Sequence, residues 1–262
     1  MNNRPIGVFD SGVGGTSIWK EIQKLLPNEN TLYLADSKNA PYGEKSQEEI
    51  LQLSIKNTEF LLDKGCKIIV VACNTATTNA ISYLRAHYKV PFIGIEPAIK
   101  PAALQSESKT VGVLATKGTL SSSLFHSTSI NHAAGIRIIE QEGTGLVPLI
   151  ESGKVEAKET KELLNKYVGP MLEQGMDHLV LGCTHYPYLI PVLKSLLPAH
   201  VKIIDSGEAV ARQVRAVLQK NDALNASNEL ARHRLYTNVA PDVLKRFVED
   251  VTADFLVEKL DF

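Results

Sequence analysis

The chain has little of what would commit it to a special environment. It holds three cysteines, one tryptophan and three methionines in 262 residues. An odd number of thiols without an export signal argues against a disulfide framework and for free thiols in a reducing compartment. No run approaches the roughly 20 apolar residues that a membrane helix needs. The N-terminus, MNNRPIGVFDSG, enters a strand-like run without the charged, apolar and small-residue parts of a signal peptide. Neither sign of charge dominates: 28 Lys and Arg face 29 Asp and Glu, for a formal charge of -1, so no global basic field exists to hold a polyanion. C-x-x-C and H-x-x-x-H spacings are both missing, which leaves little metal signal. The expectation is a cytoplasmic protein with no membrane or nucleic-acid partner and no metal. With nine residues ahead of Asp10, no N-terminal regulatory extension is expected.

What is present is a steady alternation. Short runs rich in Val, Ile and Leu (PIGVF, TLYLA, KIIVVA, PFIGI) are separated by longer stretches of helical period (TSIWKEIQKLLP, SQEEILQLSIKNTEFLLDKG, TATTNAISYLRAHY). That is the βαβ rhythm of a parallel sheet with helices on its faces. Nearly every strand candidate ends in a small or polar group where the chain turns into a helix, at Asp10-Ser11-Gly12, Asp36, Cys73-Asn74-Thr75 and Glu96. Such turns are where open α/β sheets bind ligands.

The outline then repeats. TVGVLAT matches PIGVFDS, HLVLGCTHY matches IIVVACNTA, and VKIID matches PFIGIE. Thr116 thus stands 105 residues after Ser11, Cys183 110 after Cys73, and Asp205 109 after Glu96. Three near-equal offsets imply a duplicated half with a period too long for a solenoid. The expected fold is α/β, two similar parallel-sheet domains whose equivalent strand ends face a shared cleft. The Pro-punctuated passage after Glu96 and the turn at Asp205-Ser206-Gly207 place the first domain at 1–97 with 207–262 and the second at 98–206. RHRLYTN and VLKRFVEDV should add a strand and a helix, and the polar stretch 219–233 a surface loop or loose helix.

Gly12-Val13-Gly14-Gly15 follows a strand and opens a helix, which invites a dinucleotide site with Asp36 as the ribose-binding acid. The pattern fails at its third glycine, where Ser17 stands, and Asp10 would repel a pyrophosphate. A tight turn exposing helix N-terminal N–H groups suits a carboxylate equally well. Cys73 and Cys183 each end a buried strand and precede polar residues, where helix N-terminal N–H groups favour thiolate. One such cysteine is ordinarily a small apolar filler; two at equivalent places in repeated halves point to paired proton transfer or nucleophilic attack. A zinc site from Cys73, Cys183 and His185, a Cys–His hydrolase dyad, and a non-enzymatic amino-acid-binding module are the alternatives. Cys66 is expected to be a packed or partly exposed thiol, and His87, His126, His132, His178, His200 and His233 to be solvated or capping residues.

The strings FDSGVGG (9–15), APYGEKS (40–46), VVACNTATT (70–78), GIEPAIKPA (94–102) and LVLGCTHYPYL (179–189), in this order and spacing, resemble the glutamate racemases of the aspartate/glutamate racemase superfamily. The resemblance implies cofactor-independent interconversion of L- and D-glutamate, with Cys73 deprotonating the D-enantiomer and Cys183 the L-enantiomer. Asp10 would assist Cys73 or receive the substrate ammonium, and His185 and Glu151 would be the partners on the Cys183 side. Relatives differ from this chain in the stretch EQEGTGLVPLIE that leads into Glu151. Ser11, Tyr42, Gly43, Asn74, Thr75, Thr116, Thr184 and His185 would bind the substrate through hydroxyl, amide and backbone N–H donors. A homodimer with no cofactor, supplying D-glutamate for bacterial peptidoglycan, is the wider implication.

Overall fold

Runs of branched apolar residues that no charge interrupts can be buried on both faces, and they become the central strands. A computed structural model of the chain, describing residues 3–132, 135–227 and 230–262, starts with β1 (Ile6–Asp10), α1 (Thr16–Leu25), β2 (Thr31–Ala35), α2 (Gln47–Asp63), β3 (Ile68–Val71), α3 (Asn74–His87) and β4 (Phe92–Gly94). The chain continues through α4 (Ile99–Gln105), β5 (Thr110–Ala115), α5 (Lys117–Leu120), α6 (Ser123–His132), β6 (Arg137–Glu142), α7 (Leu146–Glu151), α8 (Lys158–Glu173), β7 (His178–Gly182), α9 (Ile190–Leu196) and β8 (Lys202–Ile204). It ends with α10 (Gly207–Lys220), β9 (His233–Thr237), α11 (Asp242–Arg246) and β10 (Phe255–Lys259). Two compact units result: Met1–Ile95 with Gly207–Phe262, and Glu96–Ser206.

The first unit carries a six-stranded sheet in the order β10-β9-β2-β1-β3-β4, the second a four-stranded sheet in the order β6-β5-β7-β8. Every pairing among these strands is parallel. The inner order β2-β1-β3-β4 is the order β6-β5-β7-β8 repeated, so β3 and β7 hold the same position in their sheets. β1 and β3 of the first unit are fully buried, as are β5 and β7 of the second.

Local chemistry starts the helices where the sequence signals them. Ser46 and Glu49 form a reciprocal capping box at the start of α2. Trp19, on the buried stripe of α1, donates its indole N–H to Thr31 Oγ1 over 2.8 Å. In the second unit Ile99, Ala102, Val111, Val113, Ala115, Phe125 and Val180 close a core between helices and sheet.

Two expectations need correction. The helix expected over VLKRFVEDV stops at Arg246, and turns follow it. His178 and His233 are core residues: His178 faces Asp177 at 2.8 Å, and His233 pairs with Thr31 Oγ1 at 2.8 Å beneath the edge of Trp19. Burial lowers the tendency of His233 to protonate, with the Asp254 charge opposing. The described residues of the polar stretch 219–233 run from the end of α10 into a surface loop, as expected, anchored at Asn225, whose N–H donates to Glu29 Oε1 over 2.7 Å. Residues 228 and 229 of that stretch, and the side chain of His132, lie outside the described residues.

Asp177 fastens the lower edge of the second sheet. Its carboxylate accepts from Ser106 Oγ, Glu107 N and Ser108 N at 2.7 to 2.8 Å as well as facing His178. Burial alone would raise its pKa, but these bonds, His178's first, outweigh burial and hold the carboxyl well below the usual carboxylate range. A depressed carboxylate stabilises the fold above its unfolded pKa of about 3.9 and ceases to as pH falls through the folded value. Asp177→Asn is therefore expected to cost about 2 kcal/mol at pH 7, and the gap to the parent should close in denaturant melts as pH falls below about 4. Identical pH dependence of the two proteins would refute this account.

Candidate active site

The first cluster grows from the upper ends of β1 and β3. β1 ends at Asp10, whose buried carboxylate accepts from Gly12 N at 3.2 Å and Gly15 N at 2.9 Å. The turn's N–H groups are thus held by the protein's own carboxylate, which explains why a pyrophosphate pattern is incomplete here. Gly15 is required by close approach: a Cβ there would come 2.6 Å from Asp10 Cβ and 3.0 Å from the Ala72 carbonyl oxygen. Asp10 is thereby packed beside the strand end that carries Cys73.

Cys73 is the N-cap of α3, in extended backbone, with Ala76 N–H donating to its sulfur over 3.4 Å. Its thiol lies 3.7 Å from Ser11 Oγ. The 14-residue helix directs its positive end and first N–H groups at this point. Asn74 and Thr75 follow in the first turn, both buried, and Asn74 Oδ1 has no hydrogen-bond partner among the described residues. A buried acceptor of that kind suits an N–H or ammonium donor from a ligand.

Tyr42 and Gly43 begin a short 3-10 turn, Tyr42–Glu44, close enough to Cys73 for charge on that sulfur to raise the tyrosine pKa. The phenol, however, is committed elsewhere: it donates to Asp36 Oδ2 at 2.5 Å and accepts from Asn57 Nδ2 at 3.1 Å. Burial, then Asp36, holds Tyr42 far above the usual phenol range. The hydroxyl that the sequence suggested for a substrate is thus hydrogen-bonded within the protein. Asp36 also accepts from Asn39 and from Asn238, at 2.8 and 2.6 Å, so its place is in a structural network rather than on a ribose.

The second cluster occupies the equivalent end of β7, and it is not a copy. Cys183 is followed by a 3-10 turn, Tyr186–Leu189, with His185 at its N-cap, and the α-helix waits until Ile190. The sulfur does not cap an α-helix as expected; it lies 3.9 Å from His185 Nδ1. His185 Nε2 in turn stands 2.9 Å from Glu151 Oε1, with the imidazole almost wholly buried. If Nε2 carries the proton given to Glu151, Nδ1 is an acceptor facing the thiol. Adjacent Thr184 is buried, and Thr116 caps α5 through Thr119 N at 3.3 Å. Tyr186 is the residue that sequence reasoning passed over, although it sits inside the CTHYPY string; its hydroxyl donates to the Gly143 carbonyl over 3.2 Å.

Cys66 belongs to neither cluster. It is wholly buried, not partly exposed, and burial pushes its thiol up to about 12. A Cβ on Gly7 would come 2.9 Å from its sulfur, which marks it as a packing group. Among the described residues no group of three or more His, Cys, Asp or Glu is arranged to hold a metal ion. A surface cavity of about 590 Å³, lined by Arg85, Tyr88, Lys89 and Phe92 among others, lies at the far end of α3 from Cys73.

The Asp/Glu/Hydantoin racemase family model matches residues 6–214. Glutamate racemase of Ectopseudomonas mendocina is 52% identical over 225 residues, 86% of each chain. Among solved structures, glutamate racemase from Francisella tularensis in complex with D-glutamate superimposes with a TM-score of 0.85 at 29% identity, over 100% of this chain and 98% of that one. The Escherichia coli glutamate racemase in complex with L-glutamate and activator UDP-MurNAc-Ala gives 0.87 at 31%, over 98% of both. Likeness of that extent, in sequence and in backbone alike, leaves one assignment: the chain belongs to the Asp/Glu/Hydantoin racemase family, alongside the glutamate racemases.

Proposed function

We propose that this enzyme interconverts L- and D-glutamate without a cofactor, using Cys73 and Cys183 as paired proton carriers. The observation that carries the reading is the repeat itself: corresponding strands of two like-ordered sheets, β3 and β7, each end in a cysteine backed by its own polar partners. Inverting a Cα centre means removing a proton from one face and delivering one to the other, which a single base cannot do. The domains 1–97 with 207–262 and 98–206 would each supply one thiol, and the chemistry requires the two sulfurs to reach opposite faces of one Cα. Cys73, the N-cap of α3, starts as thiolate when D-glutamate is deprotonated, and Cys183 serves L-glutamate with His185 holding or passing its proton. Glu151 orients that imidazole.

The remaining residues answer the charge on the substrate. Backbone N–H groups at Asn74, Thr75 and Gly43, with the hydroxyls of Ser11, Thr116 and Thr184, suit two carboxylates; Asn74 Oδ1 and Asp10 suit the ammonium. Such donors stabilise most where charge grows on the α-carboxylate as the Cα proton leaves. D-Glutamate is a building block of peptidoglycan, and supply of that compound by a cytoplasmic homodimer completes the proposal. Among the described residues no helix is long and apolar enough to cross a membrane.

Optical rotation supplies the test. Protein incubated with either enantiomer of glutamate in EDTA, with no pyridoxal phosphate or nicotinamide, should bring the rotation to zero from both sides, and aspartate should respond far more slowly. Activity lost to EDTA and restored by zinc would overturn the thiol-base mechanism.

A further inference from the structure

α7 is a six-residue helix with Glu151 as its last residue, too short to hold its own position by propensity. Something else must keep Glu151 within reach of His185. Its start is a turn in which Gly143 N bonds back to the Ala115 carbonyl at 2.9 Å and Gly145 takes the left-handed φ of 84° that glycine tolerates. Two tyrosine hydroxyls are driven into consecutive carbonyls of this turn. Tyr186 donates to Gly143 O at 3.2 Å, and Tyr167, from α8, donates to Thr144 O at 2.7 Å. Tyr186 is wholly buried, and its ring leaves no room above Gly143, where a Cβ would stand 2.1 Å from the hydroxyl oxygen.

The chain is therefore closed on itself twice over a few residues. Tyr186 directly follows His185 and reaches back to the turn that leads into α7, while Glu151 at the other end of α7 reaches forward to His185 at 2.9 Å. We infer that Tyr186, with Tyr167 in support and Gly143 as the socket, is a positioning residue that sets the Glu151–His185 contact and through it proton transfer at Cys183. Neither hydroxyl is free for substrate, since each is spent on a carbonyl and burial raises both phenols above their usual range. The effect on catalysis rests on the reading proposed above; the effect on His185 does not.

The test uses the full chain and two readouts. Tyr186→Phe keeps the ring and removes one hydrogen bond, and racemisation of glutamate should fall roughly five- to tenfold, mostly in kcat. The loss should be specific to the L-side barrier: the primary isotope effect with α-deuterated L-glutamate should rise and that with α-deuterated D-glutamate should fall. Independently of activity, the downfield imidazole N–H resonance of His185, identified by its loss in His185→Gln, should exchange faster with water in Tyr186→Phe. Tyr167→Phe, at a less buried position, should shift both readouts the same way by a smaller amount, and it stands in if Tyr186→Phe does not fold. Unchanged exchange of the His185 proton overturns the inference whatever the activity. A parent protein that does not racemise glutamate, but whose His185 proton responds as stated, overturns the proposed function and leaves the positioning role standing.

Discussion

Cys73→Ala and Cys183→Ala are each expected to lower racemisation by at least about a thousandfold in both directions, because each removes a proton carrier and its positioning together. Enantiomers have equal free energies in water, so the equilibrium constant is one and kcat/KM must fall equally from the L and D sides. Rates of racemisation therefore cannot tell which face a thiol serves. Exchange of the Cα hydrogen with D₂O can. Cys73→Ala retains the Cys183–His185–Glu151 cluster and should still wash deuterium into L-glutamate without inversion; Cys183→Ala, with Cys73 on α3, should do so with D-glutamate. Each variant should leave the other enantiomer unlabelled. Cys66→Ala should racemise like the parent, since its thiol is buried against Gly7 and protonated at neutral pH. Racemisation surviving in a folded Cys73→Ala or Cys183→Ala protein would end the two-thiol mechanism.

The largest effect on stability is expected at Lys67, away from either cluster. Its ammonium lies 2.6 Å from Glu29 Oε2 and donates to the Ala223 carbonyl at 2.8 Å, with both side chains of the pair only 2% exposed. Glu29 Oε1 meanwhile accepts from Asn225 N. The pair thus ties the end of α1's loop and the start of β3 to the segment after α10. Lys67→Met would leave a buried carboxylate without its cation, which typically costs about 3 to 5 kcal/mol. Adding Glu29→Leu should recover much of that loss, because two apolar groups of similar volume need no desolvated charge. Denaturant melts of the single and double variants decide it. A single variant within about 1 kcal/mol of the parent would mean that water reaches the pair.

The fold was legible where one residue type ran unmixed. β1, β3, β5 and β7 read as strands because IGVFD, IIVV, TVGVLA and HLVLG carry little that conflicts with burial on both faces. β6 and β10 escaped notice: RIIEQE and FLVEK are edge strands with no fully buried residue, so their charges blur the pattern. Equal offsets exposed the repeat, but equal strand ends did not mean equal surroundings. Cys73 enters an α-helix directly, whereas Pro187 and Pro191 after Cys183 give a 3-10 turn first, and the helix N–H groups are replaced there by an imidazole. Contacts across long stretches of chain were beyond any local pattern. Asn238 reaches Asp36 from about 200 residues away, and Glu151 meets His185 from 34 residues earlier through a helix whose start is set by two tyrosines.

The pairing of β2 with β9 has a consequence for synthesis. Thr31–Ala35 lies in register with His233–Thr237, about 200 residues later in the chain. At roughly 5 to 20 residues per second, the ribosome needs some 10 to 40 seconds to deliver the second strand after the first. Once β4 has been made the nascent sheet β2-β1-β3-β4 can assemble, yet until β9 follows the outer N–H and C=O groups of TLYLA have no strand to meet. A hydrophobic edge left open that long invites pairing with a neighbouring nascent chain. Synthesis of the segment that brings β9 and then β10 over that edge is what ends the adhesive intermediate.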